Sequence, residues 1–371
     1  MRIAVDGHTI GSQVAGNEVF ITETVEALAS VDKTNQYTLF LSNAAALKRY
    51  RKRWPNVKVR YIAHRKPIIE KFLSYNIQLR LFRADVFFSQ FYVPKYCPCK
   101  AVNMIADLSF EHIPETFEND ECKRMQSSNR RSAYAANHII APSQYSKADI
   151  INTYHIEPEK VSMIYPAASS RFRRIENEAE LSRVRSAYDI DGGYILGVGT
   201  VQPRKNLSRL IEAYSILENL SVELPKLVLV GKIGWLHNET LETVRRLGLE
   251  DRVRFTGFVP DNDLPALYSG ALFFVYPSYF EGFGLPPLEA MQCGTPVITG
   301  NLTSLPEVVG DAGMMVDPFA VNSIADAMRR LLSDAGLRKA LSEKGVERAK
   351  KFSWIEAARQ TLEIFEKVCG K

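Results

Sequence analysis

The chain has 371 residues, 46% of them apolar and 24% charged, with 21 Gly, 18 Pro and a net charge of +5. Such a length and apolar content exclude a disordered, collagen-like or coiled-coil chain and predict two compact domains, because single cores stop growing at ~250–300 residues. No apolar run reaches the ~18 residues of a membrane-spanning helix, and the first residues lack the basic, apolar and small-residue order of a secretory leader, so the expected location is cytoplasmic.

Residues 2–5 read as a first strand, followed by a helix over 18–30 with a mostly apolar stripe through Val19, Thr22, Val25 and Leu28, then a strand over 37–41. Further β-branched or aromatic runs at 57–61, 86–88, 101–105, 138–140 and 161–164 alternate with helical segments or loops. After a break at 165–170 and a polar helix over 176–188, the rhythm restarts. Strands are expected at 194–198, 226–230, 253–255, 271–275 and 296–298, with helices at 207–217, 239–247, 263–268 and 287–292. Residues 331–350 and 354–368 read as two closing helices. Strand–helix alternation of this kind predicts an α/β protein of two Rossmann-like, doubly wound parallel-sheet domains facing a cleft.

Five cysteines, Cys97, Cys99, Cys122, Cys293 and Cys369, form an odd set. Cys97-Pro98-Cys99 has one residue between its thiols, short of zinc-knuckle spacing, and the five are expected to be reduced and structural. The six His are scattered without an HExxH pair, so no metal is expected. The excess positive charge lies in the first half of the chain, most densely over residues 48–66. There Lys48, Arg49, Arg51, Lys52, Arg53, Lys58, Arg60, Arg65 and Lys66 are interleaved with Trp54 and Tyr61. This segment reads either as a solvated helix end and loop or as a patch for anionic lipid headgroups or an acidic acceptor. No recognition motif accompanies it, so nucleic acid is not an expected partner.

The most informative segment runs from Glu281 through Gly282, Phe283, Gly284, Leu285, Pro286 and Pro287 to Glu289. Its glycines let backbone approach a ligand, and its prolines open a helix where a missing N–H costs least. Backbone donors at a helix start favour phosphate or sugar oxygens. The two carboxylates suit bidentate recognition of a sugar diol, or, structurally, a loop cap and a favourable charge at the helix start. A second cluster, Gly197 to Asn206, has two glycines in its turn and then Arg204 and Lys205, as a diphosphate requires. Cations at a helix start are electrostatically disfavoured and need such a reason. As a dinucleotide fingerprint this segment lacks the third glycine, and Gly231-Lys232 stands where the ribose-binding acid is expected, which argues against an NAD-dependent oxidoreductase.

Together these residues resemble the E-x7-E signature of the retaining GT-B glycosyltransferases of family GT4. Residues 198–206, Gly257 to Pro260, Ser304 to Val308 and Phe352 to Trp354 are similar to the branch of bacterial mannosyltransferases of polysaccharide assembly. The likeness covers nearly all of residues 190–371. It implies a metal-independent, retaining transferase moving a hexose from a nucleotide sugar, GDP-mannose or UDP-glucose, to a glycan or lipid-linked oligosaccharide. An N-terminal acceptor-side domain over 1–170 would be completed by a returning helix within 354–371, with the nucleotide-sugar domain over 171–353. By position, Glu281 would contact donor sugar hydroxyls with the amides of Gly282, Phe283 and Gly284. Glu289 would hold the ribose, and Arg204, Lys205 and the Leu285 amide the diphosphate. Gly199 and Thr200 would line the donor loop, and Phe258 and Val259 the base. Gly16 and Asn17, in the loop before the first helix, would approach the phosphates. The family's usual His-Asp pair is Ala106-Asp107 here, leaving Asp107 and the acceptor-side candidate His112 to supply a polar group, or each to be a locally satisfied loop residue. The alternative is a catalytically silent sugar-nucleotide-binding subunit of a glycan assembly complex. Peripheral attachment to the cytoplasmic membrane face through residues 48–66 is the remaining expectation.

Overall fold

A computed structural model describes residues 1–12, 15–62, 68–90, 92–218 and 224–371. The chain divides into two compact units, one of residues 1–111, 120–166 and 353–371 and one of residues 112–119 and 167–352.

The first unit carries a seven-stranded parallel sheet. Its strands are β1 (Arg2–Asp6), β2 (Gln36–Leu41), β3 (Val57–Tyr61), β4 (Val86–Ser89), β5 (Lys100–Met104), β6 (His138–Ala141) and β7 (Val161–Met163), in the spatial order β3-β2-β1-β4-β5-β6-β7. Central strands such as β4 are buried at every position, as expected where helices cover both faces of a parallel sheet. The second unit carries six parallel strands: β8 (Tyr194–Val198), β9 (Lys226–Val230), β10 (Val253–Gly257), β11 (Phe273–Tyr276), β12 (Val297–Gly300) and β13 (Met314–Val316), ordered β10-β9-β8-β11-β12-β13. Both sheets reverse direction of growth between their first and fourth strands. Ligands of doubly wound sheets bind beyond the carboxyl ends of the strands at that switch point, so β1/β4 and β8/β11 frame the two places where chemistry is expected.

The structure differs from the sequence reading in four places. The helix Ala15–Val31 begins before the expected 18, so Gly16 and Asn17 sit in its first turn and not in a preceding loop. The expected helix over 331–350 is two helices, Val321–Ser333 and Ala335–Ala349. They are parted by Asp334, which is extended and whose carboxylate accepts from the Leu337 amide at 2.8 Å to start the second helix. Strand β13 was not anticipated. Residues 112–119 group with the second unit, where Trp235 donates its indole N–H to the Thr116 carbonyl at 2.8 Å and stacks on Phe117 at 5.9 Å.

The helix Trp354–Cys369 belongs to the first unit. Trp354 meets Phe20 edge-on at 5.5 Å, and Phe365 meets Phe88 at 5.6 Å, geometries that favour aromatic pairs. Among the described residues no helix is long and apolar enough to cross a membrane. No disulfide joins the five cysteines.

Candidate active site

Two loops, one leaving β8 and one leaving β11, build the second sheet's switch point. Beyond β8 the chain passes Gly199 at φ 154°, while Gly231, beyond β9, has φ 148°. A Cβ on Gly231 would lie 2.1 Å from the Gly199 carbonyl oxygen, so only glycine lets these loops touch. The short turn Pro203–Lys205 follows. Asn206, left-handed at φ 56°, then opens the helix Leu207–Leu217. Its side-chain amide donates to the Pro277 carbonyl at 3.0 Å and the Pro318 carbonyl at 2.7 Å. Arg204 and Lys205 are thereby held beside the loop that leaves β11.

In that loop Glu281 is only 6% exposed. Its Oε1 accepts from Lys205 Nζ at 2.6 Å, the Ser278 hydroxyl at 2.6 Å and the Tyr276 hydroxyl at 3.0 Å, and Arg204 Nη1 lies 3.4 Å from Oε2. Arg204 also donates to the Phe280 carbonyl at 2.7 Å, and Lys205 Nζ lies 4.8 Å from the centre of the Tyr276 ring. Burial by itself pushes the Glu281 carboxyl up. The Lys205 and Arg204 charges, with hydrogen bonds from Lys205 and Ser278, outweigh burial and hold it down at about 2. The carboxylate is therefore ionised and can only accept. Two cations and one carboxylate meet here, in a setting where water screens their charges poorly. The cations that seemed misplaced at a helix start are thus matched by Glu281.

The backbone of this loop is fastened from β12. The Glu281 amide donates to the Thr303 hydroxyl at 3.1 Å, and the Ser304 hydroxyl lies 2.8 and 2.9 Å from the carbonyl oxygens of Glu281 and Phe283. Gly284, at φ 106°, opens the helix Leu285–Gln292, and a Cβ there would lie 2.8 Å from Leu305. Phe283 is buried edge-on against Phe352 at 5.5 Å. Pro286 and Pro287 occupy first-turn positions whose N–H groups would have no partner within the helix.

Glu289, in the next turn, is 8% exposed and accepts from the Tyr268 hydroxyl at 3.0 Å. Burial dominates and raises its carboxyl to about 7, against the Tyr268 hydrogen bond and Arg171, which lower it, while Asp261 adds to the rise. The two carboxylates of the signature therefore stand in opposite states: one held ionised, the other titrating near neutrality. Beyond β10, Phe258 is 49% exposed with Lys232 Nζ 5.1 Å over its ring, whereas the Val259 side chain is buried. Thr200 and Gly199 are half-buried in the first loop. The His112 ring stacks on Phe280, the neighbour of Glu281, at 5.5 Å and 17°.

The remaining expected residues lie in the first unit. Asp107 Oδ1 accepts from the Ser109 amide at 2.9 Å and its hydroxyl at 2.5 Å, starting the helix Ser109–His112. Gly16 is exposed, and Asn17 Oδ1 accepts from the Gln90 side-chain amide at 3.3 Å. In the basic segment, Arg53 stacks on Trp54 and Tyr50 and pairs with Glu26 at 3.0 Å, so part of that charge is spent locally. Arg65 and Lys66 lie outside the described residues. Sequence reasoning missed Tyr276, Ser278 and Thr303 around Glu281, and Tyr268 on Glu289. Tyr276 and Ser278 were accessible as polar groups at the end of a strand just before Glu281. Tyr268 comes from another helix and left no signal in spacing. Among the described residues no group of three or more His, Cys, Asp or Glu is placed to hold a metal ion.

Residues 180–348 match the family described as glycosyl transferases group 1. The chain is 38% identical over 277 residues to O-antigen chain mannosyltransferase B of Escherichia coli, covering 74% of this chain and 72% of that protein. It is 36% identical over 239 residues to the serotype-specific mannosyltransferase WbdA of Escherichia coli, covering 63% of this chain and 29% of that one. Among solved structures, sucrose-phosphate synthase from Thermosynechococcus elongatus shares the fold at a TM-score of 0.79 and 19% identity, covering 99% of each chain. Anabaena HepE in complex with UDP-glucose does so at 0.79 and 18%, covering 99% of this chain and 100% of that one.

Proposed function

Since the chain belongs to the group 1 glycosyl transferases, and is a glycosyltransferase of the GT-B fold, we propose that it moves mannose from GDP-mannose to a glycan or lipid-linked oligosaccharide acceptor, with retention at the anomeric carbon. Mannose is favoured over glucose because the two Escherichia coli relatives are mannosyltransferases. The observation that carries the site is the buried cluster of Glu281, Lys205 and Arg204 at the switch point of β8 and β11.

In this reading Glu281, ionised and fixed by four donors, orients hydroxyls of the donor sugar. Lys205 and Arg204 turn positive charge to the diphosphate. That charge is preorganised, so it stabilises the negative charge that grows on the leaving pyrophosphoryl oxygen without reorganisation during the reaction. The same oxygen takes the acceptor's proton on the face it leaves, which accounts for retention and asks for no protein base. Glu289 receives the ribose hydroxyls, the turn after β10 with Phe258 and the Val259 backbone receives the base, and the loop amides from Gly282 to Leu285 supplement the cations. Asp107, His112, Gly16 and Asn17 are assigned to the acceptor and phosphate side, and the basic surface around Arg49 and Lys52 to anionic headgroups. The test is a product assay over GDP-mannose, UDP-glucose, GDP-glucose and UDP-galactose. GDP-mannose should support transfer best, and turnover confined to a UDP-sugar would replace the donor assignment. Nucleotide binding without transfer or slow donor hydrolysis would favour the silent binding subunit.

A further inference from the structure

The first unit holds a pair of thiols that the transferase chemistry leaves unused. Cys97 and Cys99 lie in the connection between β4 and β5, at the amino end of β5, and so on the edge of the sheet opposite the carboxyl ends where ligands bind. Their sulfurs are 3.7 Å apart. Both side chains are half-buried, resting against the apolar cluster that includes Phe40, Tyr75, Leu79 and Phe87. The segment is fastened at both ends. The Cys97 amide donates to the Pro94 carbonyl at 3.1 Å, and the Lys100 amide donates to the Asp85 carbonyl at 3.3 Å. Pro98 between the cysteines fixes one backbone dihedral, which reduces the freedom lost when the sulfurs are brought together.

We propose that Cys97 and Cys99 form a redox-active dithiol that closes to a disulfide within this connection by exchange with a low-molecular-weight disulfide such as oxidised glutathione. The contact between the sulfurs, in which either can donate, lowers the Cys97 thiol together with a backbone bond at Cys99 and raises the thiol of Cys99. Cys97 is the attacking thiolate, since nucleophilicity resides in the deprotonated form. It attacks one sulfur of the small disulfide, that S–S bond breaks, and one small thiolate leaves and takes up a proton. Cys99 then loses its proton and attacks Cys97 Sγ, forming the Cys97–Cys99 bond and expelling the second small thiol. Two electrons pass from the protein pair to the small disulfide, and two small thiols are released. Cys369 lies on the same edge, its Sγ 3.9 Å from the Asp85 carbonyl oxygen, and adds to the rise of the Cys99 thiol.

The test uses the full chain in mixtures of oxidised and reduced glutathione, with acid quenching, alkylation, intact mass and peptide mapping. The expected result is loss of two hydrogens, a fall by two in alkylatable thiols, and a linked Cys97-Pro98-Cys99 peptide, all reversed by dithiothreitol. The variants C99S and C97S separate the roles. C99S should trap a lasting glutathione adduct on Cys97, whereas C97S should leave Cys99 an unmodified thiol. The proposal is overturned if both cysteines stay alkylatable throughout, if each carries its own glutathione, or if the disulfide maps to Cys99 and Cys369. The wild-type measurement stands even if neither variant folds.

Discussion

The two sheets grow in the same order, yet their switch points hold different chemistry. At β1/β4 the buried Asp6 carboxylate is met by the His8 imidazole at 2.7 Å and the Tyr75 phenol at 2.5 Å. Burial, then the Asp6 charge, keep that phenol well above its ordinary range. At β8/β11 the buried Glu281 is met by a lysine and an arginine. One scaffold thus presents a carboxylate bound by an imidazole and a phenol in one unit, and a compensated cationic cluster built between glycine-lined loops in the other. The second, with its cations between glycine-lined loops, is where the proposed donor diphosphate is assigned.

The sharpest way to break this contrast is to remove the lysine. Lys205→Ala should lower transfer by ~10²-fold or more, the scale of a lost electrostatic contact in a reacting site, and should weaken nucleoside diphosphate binding as well. It also leaves Glu281 buried with less compensation, so a thermal melt must accompany the assay. Near-normal turnover in a folded variant would place the diphosphate elsewhere.

The carboxylate pair makes a prediction in pH. Glu289 is raised to about 7 in the folded chain from an ordinary value near 4.5. Between those values the folded state binds more protons than the unfolded one, so stability falls as pH rises from ~4.5 to ~7; Glu289→Gln should flatten that part of the profile. Donor binding should run the other way, because the ionised form accepts two ribose hydroxyls, strengthening roughly tenfold from pH 6 to pH 8. Calorimetric titrations across that range check it. Tyr268→Phe, which removes a bond favouring the ionised form, should move the midpoint upward.

The smallest effect concerns the first unit's surface. Neutralising Arg49, Arg51, Lys52 and Arg53 should weaken binding to phosphatidylserine vesicles by at most about 1 kcal/mol per charge, with donor affinity unchanged. Unaltered vesicle sedimentation would return the segment to a solvated face.

How far the sequence reached depended on what each feature rests on. Strands such as β8 and β9 are short runs of β-branched and aliphatic residues, visible without tertiary context. Strand β13, Met-Met-Val, has a single β-branched residue and no aromatic one, too little of a strand pattern to read. The break at Asp334 escaped because one extended residue between two helices barely disturbs a helical period. In the site, Glu281, Arg204 and Lys205 were legible because glycines and prolines mark loops that need unusual backbone. That the cations and the acid form one cluster was not, since Lys205 and Glu281 are 76 residues apart. The same holds for Tyr268, whose bond to Glu289 exists only once two helices pack.

Glu281 is assigned to orient the donor hexose beside Lys205 and Arg204. The measurement that addresses this assignment most directly is transfer from GDP-mannose by the wild-type chain and Glu281→Gln, with GDP affinity taken on both. Transfer should fall by ~10²-fold while GDP, which lacks the hexose that Glu281 orients, binds the variant at least as well as the wild type. Transfer by Glu281→Gln at near the wild-type rate would contradict it.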